Sequence, residues 1–193
     1  MTDPARVVYI LVDGENLDST LGNTILRHRP ESSERPRWER LTEYARTRWG
    51  GDVRPLFFLN AANLQLPSAF VQALVGMRYR PVLLSGPSEV KVVDAAILRT
   101  LAAIAAQEDG ADVILASHDQ DFLPGLTPLL GGARRVGLLG FPEHFNSRYL
   151  DLRSQGLEFL DLEYDVQAFN RKLPRLRVIP IEEFDPTQFL GPI

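Results

Sequence analysis

Three short stretches of this chain place carboxylates where an apolar run ends or a helical stripe begins: Asp13-Gly-Glu-Asn16, Lys91-Val-Val-Asp94 and Ser117-His-Asp119-Gln-Asp121-Phe122. Gathered at one mouth, Asp13, Asp94, Asp119 and Asp121 would repel one another unless some were protonated or a cation lay between them. Oxygen donors without thiol or imidazole favour a hard ion, Mg²⁺ or Mn²⁺. Cysteine is absent, which excludes a thiol nucleophile, a disulfide framework and cysteine-ligated zinc or iron–sulfur sites. The three histidines, His28, His118 and His144, show no ligand spacing. Each acid also has a plain structural reading. Asp119 or Asp121 can cap the helix that follows, Asp13 can close an Asx turn, Asn16 can cap a helix, and Lys91 can be a solvated first-turn lysine. Asp94 resists such a reading, because it heads the stripe Asp94, Leu98, Leu101 and Ala105, and a buried unpaired carboxylate costs several kcal/mol.

The elements that must position these residues follow from periodicity. Continuously apolar segments at Arg6–Asp13, Val53–Leu59, Arg80–Leu84, Asp112–Ala116 and Arg135–Leu139 read as strands covered on both faces, and Gly156–Leu160 as a weaker sixth. Helical segments fall between them at about Trp38–Trp49, Pro67–Met77, Glu89–Gln107 and Asp121–Leu130, the last interrupted by Pro128. Alternation of this kind predicts a three-layer α/β fold, a mostly parallel sheet with helices on both faces. Sites in such sheets form beyond the carboxyl ends of the strands, at a switch in strand order. If the first and fourth strands are neighbours, Asp13, Asp119 and Asp121 share one mouth.

With 45% hydrophobic and 24% charged residues, the chain belongs with folded proteins, and its length suits one domain. No apolar run is long enough to span a bilayer, and residues 1–6 lack a signal-peptide core, which predicts a cytoplasmic protein. The net charge of −4 argues against a generic nucleic-acid coat. Charge is unevenly spread. Seven arginines and four glutamates lie between Arg27 and Arg48, and lysine occurs only at Lys91 and Lys172. Arg27, Arg29, Arg35, Arg37 and Arg40 therefore form a candidate phosphate-contacting loop beside the first acidic motif, the alternative being a solvated loop paired with Glu31, Glu34 and Glu39. Residues 1–165 read as the domain and 166–193 as an extended, proline-bearing tail. Its Val178, Ile179, Ile181, Phe184 and Phe189 are too apolar for free solvation, so the tail is expected to pack on the domain or on a second copy in a homodimer.

The three acidic motifs, in this order, resemble those of NYN domains in the PIN-like nuclease superfamily, usually Asp-x-x-Asn, Lys-Gly-x-Asp and Ser-x-Asp-x-Asp-Phe. Arg135-Val-Gly-Leu-Leu-Gly140 resembles the strand after the last motif, and Ser147, Leu150 and Leu157–Leu160 resemble the final helix and strand. The resemblance covers about residues 6–162. It implies a sheet of order 3-2-1-4-5 and metal-dependent phosphodiester hydrolysis, most often of single-stranded RNA, leaving 5′-phosphate and 3′-hydroxyl ends. Asp13, Asp94, Asp119 and Asp121 would hold the metal and Asn16 the hydrogen-bond geometry of the cleft. Lys91 would neutralise developing charge, and Ser117 with His118 would support the last motif. Val92, His118 and Gln120 depart from the family's small residues at those places. Two other families that carry acids at strand ends fit less well. Glu15 stands where a haloacid-dehalogenase-type phosphatase needs a second Asp, and Ser85 and Gly140 stand where a response-regulator receiver needs Asp and Lys. The rival from another class is a noncatalytic RNA- or protein-binding module on the same fold.

Overall fold

In the computed structural model, which describes residues 6–62, 68–107, 110–176, 179 and 181–190, six strands form one sheet. They are β1 (Val7–Asp13), β2 (Asp52–Asn60), β3 (Arg80–Leu84), β4 (Asp112–Ala116), β5 (Val136–Gly140) and β6 (Leu157–Asp161). Every neighbouring pair is parallel, and the order is β3-β2-β1-β4-β5-β6. The order expected by resemblance is thus present, with the weaker sixth strand added beyond β5. Pro55 in β2 lies opposite Ile10 of β1, one residue before pairing with β3 begins at Leu56, so its missing N–H removes no bond on that side.

Side chains alternate between two cores. Val8, Ile10 and Val12 of β1, with Ile114 and Ala116 of β4, face α1 (Gly14–Ser19), the π-helical turns Thr20–Leu26 and α2 (Trp38–Arg48). Leu74 of α3 (Ser68–Gly76) joins the same core. Leu11, Val113 and Leu115 face α4 (Val92–Gln107), the segment Gln120–Leu129 and α6 (Ser147–Leu150). The three layers follow directly from the two-residue period of buried strands.

Three sequence expectations shift. The fourth helix begins at Val92 rather than Glu89, because a turn closed by Val90 N–H on Pro87 C=O precedes it. The helix expected over Asp121–Leu130 breaks into a 3₁₀ turn (Gln120–Phe122), α5 (Leu123–Leu126) and a second 3₁₀ turn (Thr127–Leu129), since Pro124 and Pro128 each lack a donor. Residues 166–173, expected as tail, contribute Val166, Ala168 and Leu173 to the core, so the packed unit runs past residue 165. Further along, Ile181, Phe184 and Phe189 are exposed, Phe184 and Phe189 stacking on each other; Pro67 and Val178 lie outside the described residues.

Candidate metal centre

Strand order reverses between β1 and β4: the chain lays β2 and β3 on one side of β1, then crosses to place β4 on the other. Pairing of Val12 with Ala116 sets Asp13 beside Ser117 at the carboxyl end of the two strands. The Ser117 hydroxyl donates to Asp13 Oδ2 at 3.1 Å and accepts from the Asp119 N–H at 3.2 Å, tying both acidic strand ends to one oxygen. Asp13 also caps α1, its Oδ1 accepting from Asn16 N–H at 3.2 Å. Gly14 is required between them, because a Cβ there would lie 2.3 Å from a ring carbon of Phe57. Asn16 does not cap a helix. It lies within α1, and its Oδ1 accepts from His118 N–H at 2.9 Å, joining the first motif to the third.

Asp13 is 4% exposed. Burial pushes its carboxyl up to about 6, against the opposing pull of the Asn16 N–H and the Ser117 hydroxyl, and the charges of Asp94 and Glu15 push further. Asp94 stands in the first turn of α4, where its charge meets the helix N-terminus. Asp119 caps the 3₁₀ turn, accepting from Asp121 N–H at 2.9 Å. Asp94, Asp119 and Asp121 each offer an oxygen, and these three oxygens lie within 4.8 Å of one another, so the trio can hold a metal ion. Asp13 is not one of the trio. It stands behind it, coupled to Asp94 by charge and to Asp119 through Ser117. The expectation of one four-acid cluster becomes three acids plus a buried fourth.

The trio is not fully satisfied by hydrogen bonds. Asp94 Oδ2 is buried and accepts no hydrogen bond; its nearest positive charge is the Lys91 ammonium, at 3.4 Å. Lys91 also contacts Asp121 Oδ2 at 3.0 Å and Asp119 Oδ2 at 3.8 Å, and these acids raise its pKa.

His118 is a bracing residue, not a base. Its Nε2 accepts from Phe141 N–H at 2.8 Å, which assigns the ring proton to Nδ1, 3.2 Å from both Asn16 Oδ1 and Thr20 Oγ1. The ring stacks on Phe141, and burial lowers its pKa to about 3. Gly140 leaves room for it, since a Cβ there would fall 2.6 Å from His118 Nε2. Two supports escape sequence reasoning. The buried Tyr149 hydroxyl donates to the Asp119 carbonyl, and Thr20 reaches His118 from the turns after α1. A tyrosine hydroxyl in a one-turn helix carries no pattern that would have revealed it.

The five arginines do not act as one strip. Arg35 pairs with Asp18 at 2.8 Å, and Arg40 donates to the carbonyls of Gln167 and Phe169 and to Asn170 Oδ1. Arg37 sits where its backbone N–H meets the Ala168 carbonyl. Arg27 and Arg29 are exposed and line an open groove of about 690 Å³ with Glu15, Asp18, Asn23 and His28. None of the acidic trio lines that groove. Glutamate pairing of the loop occurs elsewhere, between Glu34 and His28 at 3.0 Å.

No family model matches the chain, and no curated protein matches it significantly. Among the described residues no helix is long and apolar enough to cross a membrane.

Proposed function

We propose that this chain is a metal-dependent nuclease of the NYN type, hydrolysing phosphodiester bonds in single-stranded RNA. One observation carries the reading: Asp94, Asp119 and Asp121 converge at the strand-order switch, with the buried Asp13 tied to them through Ser117. The donor set is all carboxylate and includes a buried oxygen without a hydrogen bond, which fits a hard ion such as Mg²⁺ or Mn²⁺. Such an ion, when bound, supplies an acidified water and neutralises charge on phosphoryl oxygens. The chain's own residues do the remaining work. Asp94, Asp119 and Asp121 would hold the ion, while Ser117 ties the Asp13 carboxylate to the Asp119 N–H. Asn16 and His118 join the two strand ends, which keeps Asp13 and Asp119 at one mouth. Lys91, exposed and paired with Asp121, would neutralise charge on a phosphate oxygen.

The test is cleavage of a panel of labelled single-stranded RNA, duplex RNA and single-stranded DNA, with Mn²⁺, with Mg²⁺ and with chelator. Metal-dependent cleavage of single-stranded RNA, abolished in Asp94→Asn, is the expected result. Mn²⁺ binding without cleavage of any substrate would instead favour the noncatalytic binding module, a reading supported by Lys91, which already neutralises part of the trio's charge.

A further inference from the structure

Lys91 Nζ stands among the same three carboxylates that would hold the ion, and only its contact with Asp121 has hydrogen-bond geometry. Three carboxylates around one ammonium keep two negative charges uncompensated, so the cluster still attracts a dication. The two cations cannot both stay. Metal–oxygen distances of roughly 2.0–2.2 Å draw the carboxylates inward, and an ammonium still touching the same oxygens would lie within about 4 Å of the doubly charged ion.

We propose that Lys91 is the internal counter-ion of this centre: its ammonium holds the trio in the metal-free protein, and a divalent ion enters by displacing it. The inference rests on the metal-centre reading given above. Departure is easy on structural grounds. The Lys91 side chain is 68% exposed and precedes the first residue of α4, so its flexible stem swings outward through rotamer changes without uncovering any core. Among the described residues nothing but the trio holds the ammonium, whereas Asp119 also accepts from the Asp121 N–H, and Asp94 and Asp121 are carried in the first turns of α4 and the 3₁₀ segment. Once displaced, the ammonium remains tethered at the rim, where a substrate phosphate arrives. One lysine therefore opposes metal binding and favours substrate binding, two effects of opposite sign that a merely structural lysine would not produce.

The experiment measures Mn²⁺ affinity of the full chain by calorimetry and by the signal of free Mn²⁺ in electron paramagnetic resonance. Wild type is compared with Lys91→Met, Lys91→Gln and Lys91→Arg. Met and Gln remove the competing charge and are expected to tighten Mn²⁺ binding by about tenfold, while Arg keeps the charge and stays near wild type. The metal-loaded Met and Gln variants should also bind a single-stranded RNA oligonucleotide more weakly than loaded wild type. Equal or weaker Mn²⁺ affinity in both neutral variants, with wild type still binding the ion, overturns the counter-ion role alone. No Mn²⁺ binding by any of the four proteins overturns the metal centre itself and this inference with it.

Discussion

Arg175 and Lys91 each face three carboxylates, and the two settings behave as different materials. The Arg175 side chain is 1% exposed, and its guanidinium reaches Glu143 through Nε and one terminal nitrogen, Asp161 through both terminal nitrogens, and Glu163 at 3.2 Å. Phe141 and Tyr164 cover its faces. Its acids are saturated from behind as well. Asp161 accepts from the Glu163 and Tyr164 N–H groups, and Glu163 accepts from Leu173 N–H. Lys91, in contrast, makes one good hydrogen bond from solvent and leaves Asp94 Oδ2 without one. Three acids and a cation are therefore not by themselves a metal site. A fork of five donors that satisfies every acid makes a clasp holding residues 166–175 on the domain; a point charge that satisfies few oxygens leaves negative charge uncompensated.

The largest expected effect breaks the clasp. Arg175→Met strands Asp161 and Glu163 as buried charges, a loss of about 3–5 kcal/mol, read as a lower urea midpoint. Lys91→Met, at an exposed position, should move the same midpoint little. Equal shifts in the two variants would erase the distinction between clasp and counter-ion.

The next effect exchanges the acids. On the nuclease reading, Asp94→Asn keeps shape but removes a carboxylate of the trio, and should lower RNA cleavage at least about 100-fold, roughly 2.7 kcal/mol of barrier, along with the stabilisation by Mn²⁺. Without metal the variant should melt at or above the wild-type temperature, because a repelling charge is gone. Asp161→Asn should do the reverse, melting lower with or without Mn²⁺. Wild-type cleavage by Asp94→Asn would remove Asp94 from the centre.

Asp13 gives a pH signature. Its folded-state pKa, near 6, lies above the ordinary value of 3.8, so the native protein binds the extra proton between those limits. Stability contributed by this group is therefore present below about pH 4 and lost as pH rises through 6. Asp13→Asn should be more stable than wild type at neutral pH by up to about 3 kcal/mol, the gain vanishing near pH 4. His118 slopes the other way. Its folded pKa, about 3, lies below 6.5, so its contribution is present above 6.5 and is lost as pH falls. Comparing the melting temperature of Asp13→Asn with wild type across pH cancels the His118 slope; a gain independent of pH would show that Asp13 is not held by burial.

Much of this centre is legible in the sequence because its acids sit where periodicity ends. The apolar run Val7–Val12 must be a strand, and Asp13 must then emerge at its mouth; the stripe read from Asp94 through Leu98 lies one residue off, since Val93, Ile97, Leu101 and Ile104 form the buried face of α4 and Asp94 and Leu98 flank it. The helix after Asp13 is harder to see. Gly14, Asn16, Ser19, Gly22 and Asn23 are poor helix formers, although Leu17, Leu21 and Ile25 do recur every four residues and are all buried. Arg175 is invisible for another reason. Of its partners, Glu143 follows β5 while Asp161 ends β6 and Glu163 follows it, and no local spacing announces a contact made at long range. The same holds for Arg35 and Arg40. As sequence they are part of an arginine-rich loop, and only the fold shows them committed to Asp18 and to residues 167–170.

That division among arginines carries the smallest expected effect, and extends the contrast between committed and available cations to the groove. Arg35 and Arg40 resemble Arg175 in having their donors spent, whereas Arg27 and Arg29 resemble Lys91 in facing solvent. Among the described residues neither Arg27 nor Arg29 has an ion-pair partner. The groove they line also carries Glu15 and Asp18, so its field is mixed and only a few phosphates can be favoured there. Arg27→Ala with Arg29→Ala should weaken binding of a single-stranded RNA several-fold and lower the slope of log affinity against log salt by roughly 0.7 for each phosphate no longer neutralised. Arg35→Ala removes a partly exposed ion pair worth about 0–1 kcal/mol of stability. It also uncovers Asp18 inside the groove, so it too should weaken RNA binding, here through repulsion of the phosphates by the bared carboxylate. The two mechanisms separate by salt. Repulsion from Asp18 is screened at high ionic strength, so Arg35→Ala should approach wild type there, and adding Asp18→Asn should restore affinity at low salt. If the Arg27 and Arg29 double variant keeps both the affinity and the salt slope of wild type, RNA does not pass along this groove, and substrate grip must lie nearer Lys91.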